Sequence, residues 1–548
     1  MMDDVLISQL PPAMLRSSLR ALVSQGSAMQ RVFVEHVRRR LMEAPPNLPS
    51  SSELFLGKSP IYSQFLASTR CMFSSKMAQE SLPYLIHLLK AIPESGVQWR
   101  PNDSLELALE QACGDIVQAV QALKESRPKS TDELKALLQG LQTSLENCET
   151  YCTSKRISYP FGRARLQVDD VYSLTFPENP NLQGRNSPLP SKFEVLPDPN
   201  AAKVIEYVNL GNLRVPRLFN GLWQMSSPAW GSASSYKQDK ALTQLVRKGF
   251  IAADMADHYG DAELVYGGFR QCLLPEVTET IVAATKWCVF RPVEVPITHD
   301  FVLAAVQERA RRLSGRVELL QFHWYDYTAK EYLQILVELV KITKSHPHLV
   351  LNIGLCNFDA EHTEEACKHL LKETGEVGIV SNQVQFSLID TRPMVKMTAV
   401  CQKYGIKLLT YGSFCGGFLS DKWLGRNAPD IYSEAEQLTP SQRKYFDMIL
   451  NWGTWPEFQN LLRSLKSIAD KHQVEISNVA ARWVLDNPEV GSVIVGTRLG
   501  VSNNSESNLK VFSFKLDETD NRQLELIALG ARTETMYEKL GDCGHEYR

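Results

Sequence analysis

From residue 213 to residue 498 the chain changes period again and again, and that alternation constrains the fold more than any other feature. Short β-branched or apolar runs occur at 213–225, 250–256, 280–288, 317–325, 350–358, 378–388, 407–414 and 492–498. Helical patterns occupy most of the gaps, at 237–249, 261–273, 298–315, 329–346, 360–373, 393–405 and 476–488. Strands taken in strict turn with helices need crossover connections, and therefore a parallel sheet. Eight such strands predict an α/β chain closed into a (β/α)8 TIM barrel, which typically takes about 250 residues. The region 204–533 is longer than that. The excess falls between the seventh and eighth strands, where 419–475 hold an insertion with extra helix.

The first part of the chain reads differently. Residues 175–203 are dense in Pro, Asn and Ser and keep no apolar period. Proline removes backbone donors and forces its predecessor out of the helical region, so this stretch is expected to be a linker. Residues 1–174 before it predict an all-α accessory domain. Asp103 with Glu106, and Ser130 with Glu133, have capping-box spacing, and each pair precedes leucine-rich helical periodicity. Segments 13–43 and 79–93 are further helix candidates. Residues 534–548 form a polar tail, expected either to be disordered or to fold over the barrel mouth. No catalytic constellation falls in 1–174, which leaves a docking or regulatory role and a possible protein partner.

Composition narrows the function classes. Hydrophobic residues make up 44% of the 548 and charged residues 22%, an ordinary globular balance that excludes a fibrous or wholly disordered chain. A net charge of -3 offers no basic surplus for nucleic acid or an anionic membrane as the main partner. No run approaches the ~18 apolar residues of a membrane helix. The opening Met-Met-Asp-Asp lacks a secretory pattern, and the arginines of 13–43 fit an amphipathic surface helix better than a presequence. The 11 cysteines, an odd number scattered through a long chain, suit a reduced cytoplasmic setting. Cys148 and Cys152, four apart with no nearby histidine, are expected to be packing or surface thiols, and no metal site is expected.

Polar residues at the C-terminal ends of barrel strands are the ones to weigh for chemistry. The second strand ends in Asp254-Met-Ala-Asp257-His258-Tyr259-Gly260, the third in Lys286-Trp287 and the fourth in His323-Trp324. A lysine closing an apolar strand is costly to bury unless paired, and Asp254 on the adjacent strand is the expected partner. A carbonyl that accepts a hydride needs a proton at the same moment. A tyrosine hydroxyl can supply it, and a neighbouring ammonium lowers the cost of the phenolate left behind. A histidine in reach of the same oxygen orients and polarises it.

Those residues resemble the aldo-keto reductase superfamily, whose second strand ends in Asp-x-Ala-x-x-Tyr-Gly. The resemblance spans roughly 210–515. It implies a catalytic tetrad of Asp254, Tyr259, Lys286 and His323, with Tyr259 as general acid. It also implies a nicotinamide cofactor held without a Gly-x-Gly-x-x-Gly fingerprint, and the chain contains no such fingerprint. Asn357 in Gly354-Leu-Cys356-Asn357-Phe358 and Gln383 match the carboxamide positions, with Cys356 departing from the family serine. Tyr411 matches the residue that stacks on the nicotinamide ring. Gly496, Arg498 and Asn508 match the 2′-phosphate and adenine positions, and a guanidinium there favours NADP(H) over NAD(H). Trp223, Trp287 and Trp324 are either substrate-pocket walls or packing residues. Asp257 and His258 are expected to be structural or solvated.

Two functions remain open on this reading. One is an NADP(H)-dependent enzyme that interconverts a small-molecule aldehyde or ketone with an alcohol. The other is a nucleotide-binding regulatory or scaffold protein with little turnover, similar to the reductase-like subunits of potassium channels.

Overall fold

Eight parallel strands close on one another in the second half of the chain. They are β1 (Leu218–Gly221), β2 (Ala252–Asp254), β3 (Val282–Cys288), β4 (Val317–His323), β5 (Val350–Cys356), β6 (Ile379–Gln385), β7 (Lys407–Tyr411) and β8 (Val490–Gly496). Each pairs with the next, and β8 returns to pair with β1, which leaves the barrel without an edge. This computed structural model describes residues 7–56, 60–177, 195, 198, 203–227, 230–433, 436 and 438–548. Most of the expected linker 175–203 lies outside the described residues. The chain divides into two compact units. One comprises 1–189 with 226–236 and 429–438, and the other comprises 190–225, 237–428 and 439–548.

The barrel interior is layered. Phe219, Ala252, Val282, Ala284, Leu319, Leu409 and Ile494 fill its lower part, together with Leu210 and Val215. The last two come from an antiparallel hairpin, Tyr207–Leu210 with Leu213–Pro216, that precedes β1. Period-2 alternation then decides what lies above. Ala284 sits opposite Leu319 and Lys286 opposite Gln321, so the inward positions change from apolar to polar towards the C-terminal ends. The pair that follows, Trp287 and Phe322, faces outward.

The run at 213–225, expected as one strand, is three pieces. Leu213–Pro216 belongs to the hairpin, Leu218–Gly221 to the barrel, and Trp223–Ser226 is a 3-10 turn. Proline at 216 ends the hairpin strand, and Arg217 redirects the chain by donating to the carbonyls of Leu485, Val490 and Gly491. In the insertion between β7 and β8 two helices form, Pro440–Trp452 and Trp455–His472. A further helix, Ala531–Leu540, runs through the point where the polar tail was expected to begin.

In the N-terminal unit the regular elements among the described residues up to 177 are all helices, joined by loops. Ala78–Ser95, Ser104–Ser126 and Asp132–Lys155 bury Leu85, Leu89, Leu109, Ile116, Leu138, Leu141 and Leu145 in a single core. Asp103 caps as expected, accepting from Glu106 N at 2.8 Å. The Glu106 carboxylate turns instead to Asn102 N and the Ser158 hydroxyl. The next cap is Thr131 rather than Ser130, because Thr131 Oγ1 accepts from Leu134 N. Segment 13–43 splits into Pro12–Val23 and Ser27–Glu43 at Gly26, whose φ of 132° no helix accommodates. Cys148 and Cys152 are buried thiols in the core. Among the described residues, no helix is long and apolar enough to cross a membrane.

Candidate active site

The rim of the barrel brings Asp254, Tyr259, Lys286 and His323 together. Asp254 ends β2, and its Oδ2 accepts from Lys286 Nζ at 2.6 Å. The ammonium also donates to Met255 O at 3.0 Å and stands 4.9 Å from the centroid of the Tyr259 ring. Both members of the ion pair are buried, at 2% and 4% side-chain exposure. Burial opposes the lysine's charge, but the Asp254 carboxylate outweighs it and holds the ammonium above its ordinary range. For Tyr259, burial pushes the phenol up while the Lys286 charge pulls it down. Burial is the larger effect, so the phenol is held more firmly as O–H than the sequence suggested. His323, at the end of β4, is depressed to about 3 by burial and then by the Arg548 cation, so its imidazole is neutral. Its Nδ1 is buried without a hydrogen-bond partner among the described residues.

The second oxygen of Asp254 was not anticipated. Oδ1 accepts from Gln321 Nε2 and from Gln383 Nε2, each at 2.7 Å, and Gln383 Nε2 also donates to Gln321 Oε1. Gln383, expected at the carboxamide, thus anchors the carboxylate from inside the barrel. Gln321 carried a readable signal: it is the only amide in the apolar run of β4, two residues before His323 and therefore on the same face.

The expected cofactor residues lie in two groups. Arg498 and Asn508 line one cavity of about 320 Å³, together with Gly496 and with Lys237 and Lys240 from the helix Ser235–Arg247. Sequence reading missed the two lysines because an i, i+3 pair of lysines on a helix usually marks a solvated face. Arg498 is held in place by Ser502, to which its Nε donates at 3.1 Å. The second group, Asn357 and Tyr411, lies at the ends of β5 and β7. Asn357 has φ +58°, a conformation asparagine tolerates, and its Oδ1 accepts from the Tyr411 hydroxyl at 2.9 Å. Burial pushes the neighbouring Cys356 thiol up to about 12, so the residue is an inert filler at this position.

Two of the three tryptophans stand away from the cleft. Trp287 points outward and packs on Phe301 and Phe322 under the Arg309 guanidinium. Trp324 is fully buried, and its indole N–H is spent on the carbonyls of Asp326 and Ala329. Trp287 follows the inward Lys286 on β3 and therefore faces away from the barrel interior. Trp223, in the turn after β1, is half-buried. Asp257 pairs with Arg309 and accepts from Cys288 N, a structural role. Phe290, 52% exposed, stands beside His323, with its ring centroid 5.2 Å from those of both His258 and His323.

The site is thus a closed parallel barrel whose rim carries a buried Lys–Asp pair beneath a tyrosine, with a histidine at the next strand end. Residues 217–528 match the profile of the Aldo/keto reductase family, more than half of the chain, and the protein belongs to that family. It is 32% identical over 185 residues to flagellar radial spoke protein 5 of Chlamydomonas reinhardtii, a match covering 31% of this chain and 33% of that protein. The chain therefore spans a third of the length of that relative. It is 26% identical over 336 residues to the chloroplastic pyridoxal reductase of Arabidopsis thaliana, covering 59% of this chain and 85% of that one. A crystal structure of a thermostable aldo-keto reductase with the inhibitor epalrestat aligns at 21% identity and a TM-score of 0.43, over 59% of this chain and all of that one.

Proposed function

We propose that the protein is an NADP(H)-dependent oxidoreductase that interconverts an aldehyde or ketone with an alcohol. The observation that carries this reading is the buried Lys286–Asp254 pair set under the Tyr259 ring. Burying two charges is expensive, and the expense has a clear use where a phenolate must be stabilised for a moment.

The residues present fit a nicotinamide dinucleotide. Arg498, Lys237 and Lys240 supply three cations to one cavity, and Asn508 adds an amide, a donor set suited to a phosphate and a purine. Asn357 and Tyr411 supply an amide and a ring at the other end. The bound cofactor would supply the hydride. The chain would do the rest. His323, neutral, would hold the substrate oxygen by a hydrogen bond, and Tyr259 would give its proton to that oxygen as negative charge develops there. Lys286 would stabilise the resulting phenolate, and Asp254 would keep the lysine charged and aimed. In the reverse direction Tyr259 would take the proton back. A Tyr259→Phe variant should lose turnover on a carbonyl panel, followed by NADPH oxidation, and keep its nucleotide affinity. Full activity in that variant would refute the assignment.

The similarity to a radial spoke protein favours a second reading, in which the barrel binds nucleotide with little turnover as part of a larger assembly. The N-terminal helical unit would then be the docking module for a protein partner. Nucleotide binding without turnover on any carbonyl would select this reading. The scattered cysteines, many of them buried, suit a reduced cytoplasmic setting under either one.

A further inference from the structure

Asn357 and Tyr411 are already engaged by the chain's own segment 541–548. The helix Ala531–Leu540 ends at Gly541, and the residues after it lie across the C-terminal ends of β4, β5 and β7. The Tyr547 hydroxyl sits 3.2 Å from that of Tyr411 and accepts from Lys444 Nζ at 2.8 Å. Its ring meets His323 edge-on, with centroids 6.0 Å apart. Arg548 donates to Trp324 O at 2.5 Å, to the Tyr327 hydroxyl at 2.5 Å and to Asn357 O at 2.6 Å. Gly544 is packed so closely that a Cβ there would fall 2.1 Å from Asn357 O.

These contacts can be undone one by one. His545, Glu546 and Arg548 are exposed and Tyr547 is half-buried, so apart from the buried Cys543 and Gly544 little surface is lost when the segment leaves. Arg392, which Glu546 meets at 3.2 Å, is held independently by the buried Asp390 at 2.8 Å and keeps its charge partner without the segment. The Asp542 carboxylate accepts from Ala360 N at 3.0 Å at a helix start that already has Asp359 as its cap. The cavity with Arg498 and Asn508 has none of 541–548 in its lining.

We propose that segment 541–548 is a displaceable strap that competes with the nicotinamide half of the cofactor for Asn357 and Tyr411. On this account, which rests on the nucleotide-binding reading above, a dinucleotide docks first by its adenosine end and seats fully only when the strap lifts. A strap docked nine-tenths of the time weakens the apparent affinity about tenfold, because only the open fraction competes for ligand.

The test measures, by calorimetry on the full chain, the affinities of NADPH and of adenosine 2′,5′-bisphosphate, which reaches only the adenosine end. Two variants release the strap by different routes: a chain ending at Leu540, and Gly544→Ala, whose methyl group cannot be accommodated against Asn357. Both should bind NADPH about tenfold more tightly and leave the bisphosphate unchanged. In the unaltered protein, NADPH should speed amide hydrogen exchange at 543–548 and the bisphosphate should not. Unchanged or weaker NADPH binding by Gly544→Ala would overturn the proposal and make the strap a fixed wall of the site. Equal tightening of both ligands would also overturn it, since the gain would not be confined to the nicotinamide end. Failure of every form to bind the bisphosphate would instead strike the nucleotide-binding reading itself.

Discussion

Gln321 and Gln383, from β4 and β6, donate to the same oxygen of Asp254, each at 2.7 Å. The carboxylate is thereby fixed on one side by two amides and on the other by the Lys286 ammonium. A hydrogen bond to a charged group is worth about 1.5–3 kcal/mol, so each amide is a substantial part of what keeps Asp254 aimed. Gln321→Leu should lower kcat by about tenfold or more. Nucleotide affinity should change little, because Gln321 touches neither cavity residue nor Asn357. A loss confined to nucleotide affinity, with kcat intact, would place Gln321 outside the proton-transfer machinery.

Breaking the buried pair should cost stability as well as turnover. Lys286→Met leaves Asp254 buried without its cation, and such changes cost about 3–5 kcal/mol. The double variant Asp254→Leu with Lys286→Met removes both charges and should recover most of that loss, while remaining inactive. Urea unfolding of the three proteins measures this directly. A double variant no more stable than Lys286→Met alone would mean that packing, not an orphaned charge, sets the penalty.

How much of this was legible in the sequence depends on the kind of signal. The barrel was plain because its strands change period against their helices eight times, and period is a property of each segment alone. Asp254, Tyr259, Lys286 and His323 could be placed at strand ends for the same reason, and the structure brings them to one rim. The break at Arg217 escaped because a hairpin strand and a barrel strand share one apolar run, and only the hydrogen bonds to Leu485 and Val490 separate them. Lys237 and Lys240 escaped because their cavity is built from residues more than two hundred positions apart. Trp287 and Trp324 were open to two readings until the face of each strand was known. The effect of burial on Tyr259 was invisible as well: neighbouring charge can be read from a motif, whereas desolvation depends on the whole surrounding shell.

Arg498 should decide between the two nicotinamide nucleotides. In the proposed site its guanidinium meets a 2′-phosphate, which NAD lacks. Arg498→Ala should weaken NADP(H) binding by about ten- to a hundredfold, the value of one or two charge-assisted hydrogen bonds, and leave NAD(H) binding nearly unchanged. Lys237 and Lys240 share the cavity, so their alanine variants should act in the same direction by less. Equal losses for both nucleotides in Arg498→Ala would show that the residue supports the loop through Ser502 rather than reading the phosphate.

The direction of reaction should leave a signature in pH. Burial holds the Tyr259 phenol above the ordinary tyrosine range of about 10, with Lys286 offsetting part of the rise. Below that value the group is O–H, the form that donates in reduction, so reductive kcat should be flat from about pH 6 to about pH 9. Oxidation needs the phenolate. Its fraction grows tenfold per pH unit below the phenol's pKa, so oxidative kcat should climb with a slope near one and reach no plateau before about pH 10. His323 adds no limb in this window, because burial, the larger of the effects on it, keeps its imidazole neutral even without the Arg548 charge. Rate profiles in both directions, taken on the Tyr259 protein with one substrate pair, separate the two contributions. An oxidative plateau below about pH 9 would mean that the Lys286 charge outweighs burial and that the phenol is more acidic than free tyrosine.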